Sequence, residues 1–283
     1  MPIQGRSIVR SSSTGQVGVN VPKPGYTNVS VALTTHGDYA LSVINDNGQV
    51  KMSTSLPTTQ VRLPAKGTRR SASAALPPQC TELGSESEGA LWDITLNWYY
   101  NESTASRAGL DGSTTLTQIR AGNSNVTLGA NDCGFTPTGG FGAYGAYQGT
   151  TTRYANINSA GEETSNFPDG QNTVSWGPFN AGLDDLAVTV YEYDDDTHFM
   201  TEADTYLGSN VGIVTSLPAG CTSNFDLTSI SAHEWGHAFG LGDLTDTADK
   251  DQLMYSEFTP CEIRQTLGEG DWNGMATMYG YRS

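Results

Sequence analysis

Four residues between positions 233 and 243 are of the types, and at the spacing, that hold a divalent metal and activate water. His233 and His237 are four apart in the segment DLTSISAHEWGHAFGLGD, residues 226 to 243. On a helix of ~100° per residue they stand about 40° apart around the axis and one turn along it, so both imidazoles reach one ion. A tetrahedral catalytic zinc takes three protein donors and leaves one position open. Gly240 can end the helix in the left-handed conformation and turn the chain sharply, which brings Asp243 back as an oxygen donor. The other two histidines, His36 and His198, lie far away in sequence. Glu234 stands beside the donors as a general base. With zinc present the pKa of a water falls to about 7, Glu234 takes its proton as it attacks a peptide carbonyl, and the proton then passes to the leaving amine. The plain alternative is two surface histidines on an ordinary helix; with only 4 histidines in 283 residues, a chance HExxH pattern is rare.

These groups need a helix and a scaffold to aim it. The spacing predicts a helix from about 227 to 239, with Asp226 as N-cap, Leu227, Ile230 and Phe239 as its apolar positions, and Gly240 and Gly242 as the stop. Upstream, LWDITLNWYY reads as a strand and LDGSTTLTQIRAG as an amphipathic helix on Leu110, Leu116 and Ile119. TRYANIN, NTVSWG, LAVTVYEY and VGIVTSL are further strand candidates. Residues 1–79 differ in character: they are polar, broken by VPKPG, SLPTT, RLPAKG and LPPQ, and alternate as strands only around 29–33 and 39–44. They read as a separate N-terminal leader, either a propeptide or a spacer. For a propeptide, the cluster from Lys66 to Arg70 is an accessible cleavage point. Residues 80–283 form the expected compact domain.

Composition narrows the class. Hydrophobic residues are 36%, charged residues 16%, and there are 33 glycines, which favours short strands and many turns in an α+β fold. A net charge of -16 repels phosphate backbones and excludes nucleic acid as a partner. No stretch approaches the ~20 apolar residues of a membrane span, and the N-terminus has no apolar signal core. Four cysteines without CxxC spacing fit two disulfides in an oxidising compartment, so the expectation is an extracellular, secreted monomer. Asp194, Asp195 and Asp196 with Glu202 and Asp204 offer oxygens for calcium, or form a solvated acidic turn.

The motif resembles that of the metzincins, HExxHxxGxxH/D, matched by His233, Glu234, His237, Gly240 and Asp243; Met254 in DQLMYSEF matches their Met-turn. The look is closest to matrixin-like bacterial secreted proteases. LAVTVY resembles their substrate-binding edge strand, MTEADTYL the strand after it, and RQTLGEGDWNGMATMYG their closing helix, here 271 to 279. The resemblance covers roughly residues 91 to 283. Most matrixins carry a third histidine where this chain has Asp243, and snapalysin-like enzymes carry aspartate. The resemblance implies a twisted mixed sheet with an active-site helix and a C-terminal helix, and a zinc-dependent endopeptidase acting on extracellular proteins or peptides. It also implies that Met254 floors the metal site and that Tyr255, Ser256 and Phe258 wall the pocket beyond the scissile bond. Leu186 and Ala187 would pair with the peptide backbone as an added strand. Cys221 and Cys261 flank the motif and the Met-turn, so a bridge between them would clamp both, with Cys80 paired to Cys133. The alternative for Cys80 is a zinc-silencing ligand like the propeptide cysteine of animal matrixins. Against the enzyme stands a catalytically inactive metzincin-like binding or adhesion protein, for which Glu234 would have no use. A gluzincin arrangement would need a glutamate ligand downstream, but Glu257, Glu262 and Glu269 lack the expected setting.

Overall fold

A computed structural model describes residues 3–37, 39–54, 76–136 and 139–282. Its strands are β1 (Ser7–Ser11), β2 (Gln16–Asn20), β3 (Tyr26–Thr34), β4 (Tyr39–Asp46), β5 (Gln49–Ser53), β6 (Glu86–Ser87), β7 (Leu96–Tyr100), β8 (Gly145–Thr150), β9 (Asn172–Gly177), β10 (Asp185–Asp194), β11 (Met200–Gly208), β12 (Ile213–Val214), β13 (Phe225–Asp226) and β14 (Leu241–Gly242). The helices are α1 (Gly112–Thr127), α2 (Leu227–Ala238) and α3 (Glu269–Tyr279). Eight strands make one mixed sheet in the order β5-β4-β3-β10-β11-β9-β7-β8. β10 runs antiparallel to both neighbours, β3 and β11, whereas β9 pairs parallel to β11 and to β7. The α+β architecture expected from composition is what the chain adopts.

β10 explains the layering. Its sequence, DLAVTVYEYD, is buried along nearly its whole length, so both faces must be covered. Successive side chains alternate between faces. Ala187, Tyr191 and Tyr193 join a core with Ile230, Trp235 and Phe239 of the α2 region, while Val188 and Val190 join a second core with Val17, Val19, Leu41 and Val43. That second core closes the other face with the N-terminal strands.

The expected leader is therefore built into the main sheet: β3, β4 and β5 continue it beyond β10, and β1 with β2 forms a hairpin over its second face. The sequence signal at 29–33 and 39–44 marked β3 and β4, but β1, β2 and β5 are too short and polar to stand out. The cleavage point expected at Lys66 to Arg70 lies outside the described residues. TRYANIN contains no strand; its Ile157 makes only an isolated bridge to Glu163. VGIVTSL shrinks to Ile213–Val214, and LWDITLNWYY to Leu96–Tyr100. In each case turn residues flank too few positions for a long ladder.

Both disulfides form, Cys80–Cys133 with Cα atoms 5.1 Å apart and Cys221–Cys261 at 5.7 Å. Cys80 is thus occupied and is not a metal ligand. No helix among the described residues is long and apolar enough to cross a membrane.

Candidate metal centre

α2 starts where the sequence places it. The Asp226 carboxylate accepts from the Ser229 N–H at 2.9 Å and from the Ser229 hydroxyl at 2.7 Å, an N-cap that satisfies an otherwise unpaired helix N–H. All twelve residues of α2 are buried, which marks a helix packed on every side rather than on one stripe. It ends at Phe239, and Gly240 follows with φ +86°. A Cβ at Gly240 would stand 2.1 Å from the Ala90 carbonyl oxygen, so close backbone contact as well as conformation requires glycine there. The turn delivers Asp243 to the two histidines.

The three donors converge. His233 Nε2 and His237 Nε2 are 3.0 Å apart, and Asp243 Oδ1 lies 3.1 Å from the first and 3.2 Å from the second. A tetrahedral zinc with bonds of ~2.0–2.1 Å requires donor separations of about 3.3 Å, so this triangle matches three corners. Among the described residues it is the one group of three or more His, Cys, Asp or Glu side chains with donor atoms close enough to share an ion. The tautomers agree. His233 Nδ1 faces the Leu253 carbonyl at 3.0 Å, and His237 Nδ1 faces Glu88 Oε1 and the Leu241 carbonyl at 3.1 Å each. Each Nδ1–H has an acceptor, which leaves both Nε2 lone pairs directed at the common point. Asp243 Oδ2 is buried without a hydrogen-bond partner, a costly state that a cation relieves.

Burial and mutual charge shift the three donors in different directions. Burial alone would lower the His237 imidazole, but Asp243 and Glu88 outweigh it and raise it well above its usual range. Burial likewise would raise Asp243, yet His237 and His233 hold its carboxyl below the usual range. For His233 burial wins over Asp243 and the imidazole is lowered.

Glu234 is also buried, which pushes its carboxyl up to about 7 against the pull of His237 and Thr189. The Thr189 hydroxyl on β10 donates to Glu234 Oε2 at 2.5 Å and lies 3.0 Å from the Thr205 hydroxyl on β11. Glu234 Oε1 has no partner. One oxygen is held and the other is unengaged.

Met254 packs under the helix: a Cβ on Gly236 would meet its Sδ at 2.2 Å. Its segment is held by groups that sequence reasoning missed. Asp271 accepts from the Leu253 N–H at 2.7 Å, and Arg264 donates to the carbonyls of Gln252, Tyr255 and Glu257. Tyr255, Ser256 and Phe258 are buried along this stretch. Glu88 and Tyr191 were missed too, and the Tyr191 hydroxyl donates to the carboxylate of Glu88. Glu88 lies 149 positions from His237 in a polar stretch, and no spacing rule connects them.

The strand expected to bind substrate and the acidic cluster are both already engaged within the chain. Leu186 and Ala187 are not on an open edge: Ala187 stands opposite Leu207 of β11 on one side and Leu33 of β3 on the other. A strand has two hydrogen-bonding edges, and the chain itself occupies both. The acidic cluster does not assemble for calcium either. Asp194 caps its own turn through the N–H groups of Asp196 and Thr197, Glu202 accepts from the Asp169 and Gly170 N–H groups, and Asp204 accepts from those of Asn156 and Thr173. Among the described residues these carboxylates do not form a group with donor atoms close enough to share an ion. His36 and His198 are exposed and take no part in the triangle.

Comparison with known proteins fits this geometry. Residues 164–280 match the matrixin family, a span that holds β9 to β11, α2, Met254 and α3 and excludes β1 to β5. Metalloendoproteinase 1 of Glycine max is 37% identical over 83 residues, 29% of this chain and 25% of that protein. The chain thus spans about a quarter of the length of the curated relative it matches. Residues 164–280 are thus similar to the matrixin family, and the eight-stranded mixed sheet with its helices fits an α+β metzincin-type catalytic fold.

Proposed function

We propose that this matrixin-like chain is a secreted, zinc-dependent endopeptidase that hydrolyses peptide bonds of extracellular proteins. The observation that carries the reading is the triangle of His233, His237 and Asp243 beside a buried glutamate with one unengaged oxygen. Those three residues would hold the ion. Zinc, when bound, supplies Lewis-acid polarisation of a carbonyl and lowers the pKa of a water to about 7.

The chain supplies the rest. Glu234 Oε1 takes a proton from the attacking water while the Thr189 hydroxyl fixes Oε2. The new bond joins the water oxygen to the carbonyl carbon. As the carbon–nitrogen bond breaks, Glu234 returns the proton to the amine, so no covalent enzyme intermediate is required. The acceptors on both Nδ1 atoms keep the imidazoles oriented as neutral donors. Two disulfides and the matrixin match support an oxidising, extracellular setting, and the net charge of -16 speaks against nucleic-acid partners.

The test is hydrolysis of an unstructured protein such as casein by zinc-loaded protein, before and after limited digestion. A chelator should abolish it, and Glu234→Gln should abolish it while zinc content stays at one per chain. Zinc-loaded protein without turnover in either state would instead favour a non-catalytic binding protein.

A further inference from the structure

Resting on the peptidase reading, we infer that residues 3–54 are a built-in inhibitor, with β3 lying in the strand position that a peptide substrate must take. β3 pairs antiparallel with β10 from Asp194 opposite Tyr26 to Ala187 opposite Leu33, and Thr34 stands opposite Asp185. On its other side Thr34 makes a parallel bridge with Glu257, and its carbonyl accepts from the Phe258 N–H at 3.4 Å. The chain at Leu33 and Thr34 is therefore enclosed between the strand and the wall that together would receive a substrate backbone. A peptide binding by strand addition needs the β10 edge for its own main-chain hydrogen bonds, and β3 has consumed that edge. Leu33 is fully buried on the same face of the sheet as α2.

The segment is anchored well enough to compete. Val17, Val19, Leu41 and Val43 pack with Val188, Val190 and Tyr206. Asn20 and Asn28 donate to the buried Glu163 carboxylate at 3.0–3.1 Å, and the Glu163 N–H donates to the Gly18 carbonyl at 2.7 Å. Tethering adds a high effective concentration. Yet no disulfide joins the segment to the domain, because all four cysteines lie at position 80 or later. After a cut between 54 and 76 only noncovalent contacts retain it, so a nick alone should leave it seated and dissociation should open the cleft.

The experiment measures binding of a peptidyl hydroxamate to the zinc-loaded full chain and to two full-length variants. Leu33→Asp places a carboxylate in the apolar layer under β3, and Asn20→Ala/Asn28→Ala removes the partners of Glu163 without touching the core. Acetohydroxamate, which reaches the metal without needing the β10 edge, serves as the control ligand. The expected result is that the peptidyl ligand binds the variants at least about tenfold more tightly than the parent, while the control ligand binds all three alike. Equal peptidyl affinity in the parent and in every folded variant would overturn the inference. Full turnover by the uncut parent would overturn it too, and would leave the peptidase reading intact. The expected affinity difference with no turnover in any form would support the occupied edge and sink the peptidase reading.

Discussion

Glu88 offers a sharp test of how the metal centre is held. Its carboxylate is fully buried, faces His237 Nδ1 at 3.1 Å and accepts from Tyr191, and burial raises its pKa despite those partners. In Glu88→Gln the amide oxygen can accept from His237 Nδ1–H and the amide nitrogen can donate to the Tyr191 oxygen, so the geometry survives and only the charge is lost. Removing the partner of a metal-binding histidine costs about 10–100-fold in metal affinity. Here His237 Nδ1 retains the Leu241 carbonyl at 3.1 Å as a second acceptor, which places the expected loss near the lower end. That is about tenfold, or about 1.4 kcal/mol. Glu88→Ala also leaves the buried Tyr191 hydroxyl unpaired and should lie nearer the upper end.

Zinc affinity measured at pH 7 by competition with a chromophoric chelator reads this directly. A second measurement separates charge from damage. Because a desolvated carboxylate is costly to bury, the metal-free Glu88→Gln protein should melt no lower than the parent even though it binds zinc less tightly. Zinc affinity within twofold of the parent would refute the reasoning. So would a matched drop in thermal stability, because the loss would then reflect general loosening of α2.

Asp243→Ala removes a direct donor and should cost more zinc affinity than the about 10–100-fold typical of an outer partner, read as metal retained through gel filtration. Gly240→Ala forces φ +86° on a residue with a Cβ that meets the Ala90 carbonyl; the backbone term alone costs about 1–3 kcal/mol, visible as a lower denaturation midpoint. Glu163 gives a pH dependence. Burial lifts its carboxyl from 4.5 to about 8, against the amides of Asn28 and Asn20 and with the help of Glu192, whose partner is Lys23. A raised acid pKa means that the folded state favours the protonated form. The contribution is therefore complete below about pH 4.5 and is lost as pH rises through about 8. Other buried carboxyls share this direction, so the check is a difference: Glu163→Gln should lose less melting temperature than the parent between pH 5 and 8.

What could be read from the sequence was local. The cap at Asp226, the one-turn offset of the histidines and the glycine after Phe239 are near-neighbour relations, and they were sufficient to place His233, His237, Glu234 and Asp243. Met254 stood out through a motif, and it packs against Gly236 of α2. Glu88, Tyr191 and Thr189 did not stand out, because their roles depend on pairings across 45 to 149 positions that no periodicity encodes. The same blindness hid β3. Its alternating apolar residues announced a strand, but a strand signature does not name its neighbour, and the polar, proline-broken stretch after it argued for a detached leader.

β10 ties these hidden relations together. Its backbone edge carries β3, and the side chains on one of its faces carry the site: Thr189 holds Glu234, and two residues on, Tyr191 holds Glu88, which in turn faces His237. A strand alternates its faces every residue, so Thr189 and Tyr191 point the same way only while the register of β10 is kept. That register is pinned independently by β11 from Ala187 opposite Leu207 through Glu192 opposite Glu202. Displacing β3 would therefore remove one ladder and leave the other in place. Opening the cleft and preserving the aim of Glu234 are compatible because the two depend on opposite edges of the same strand.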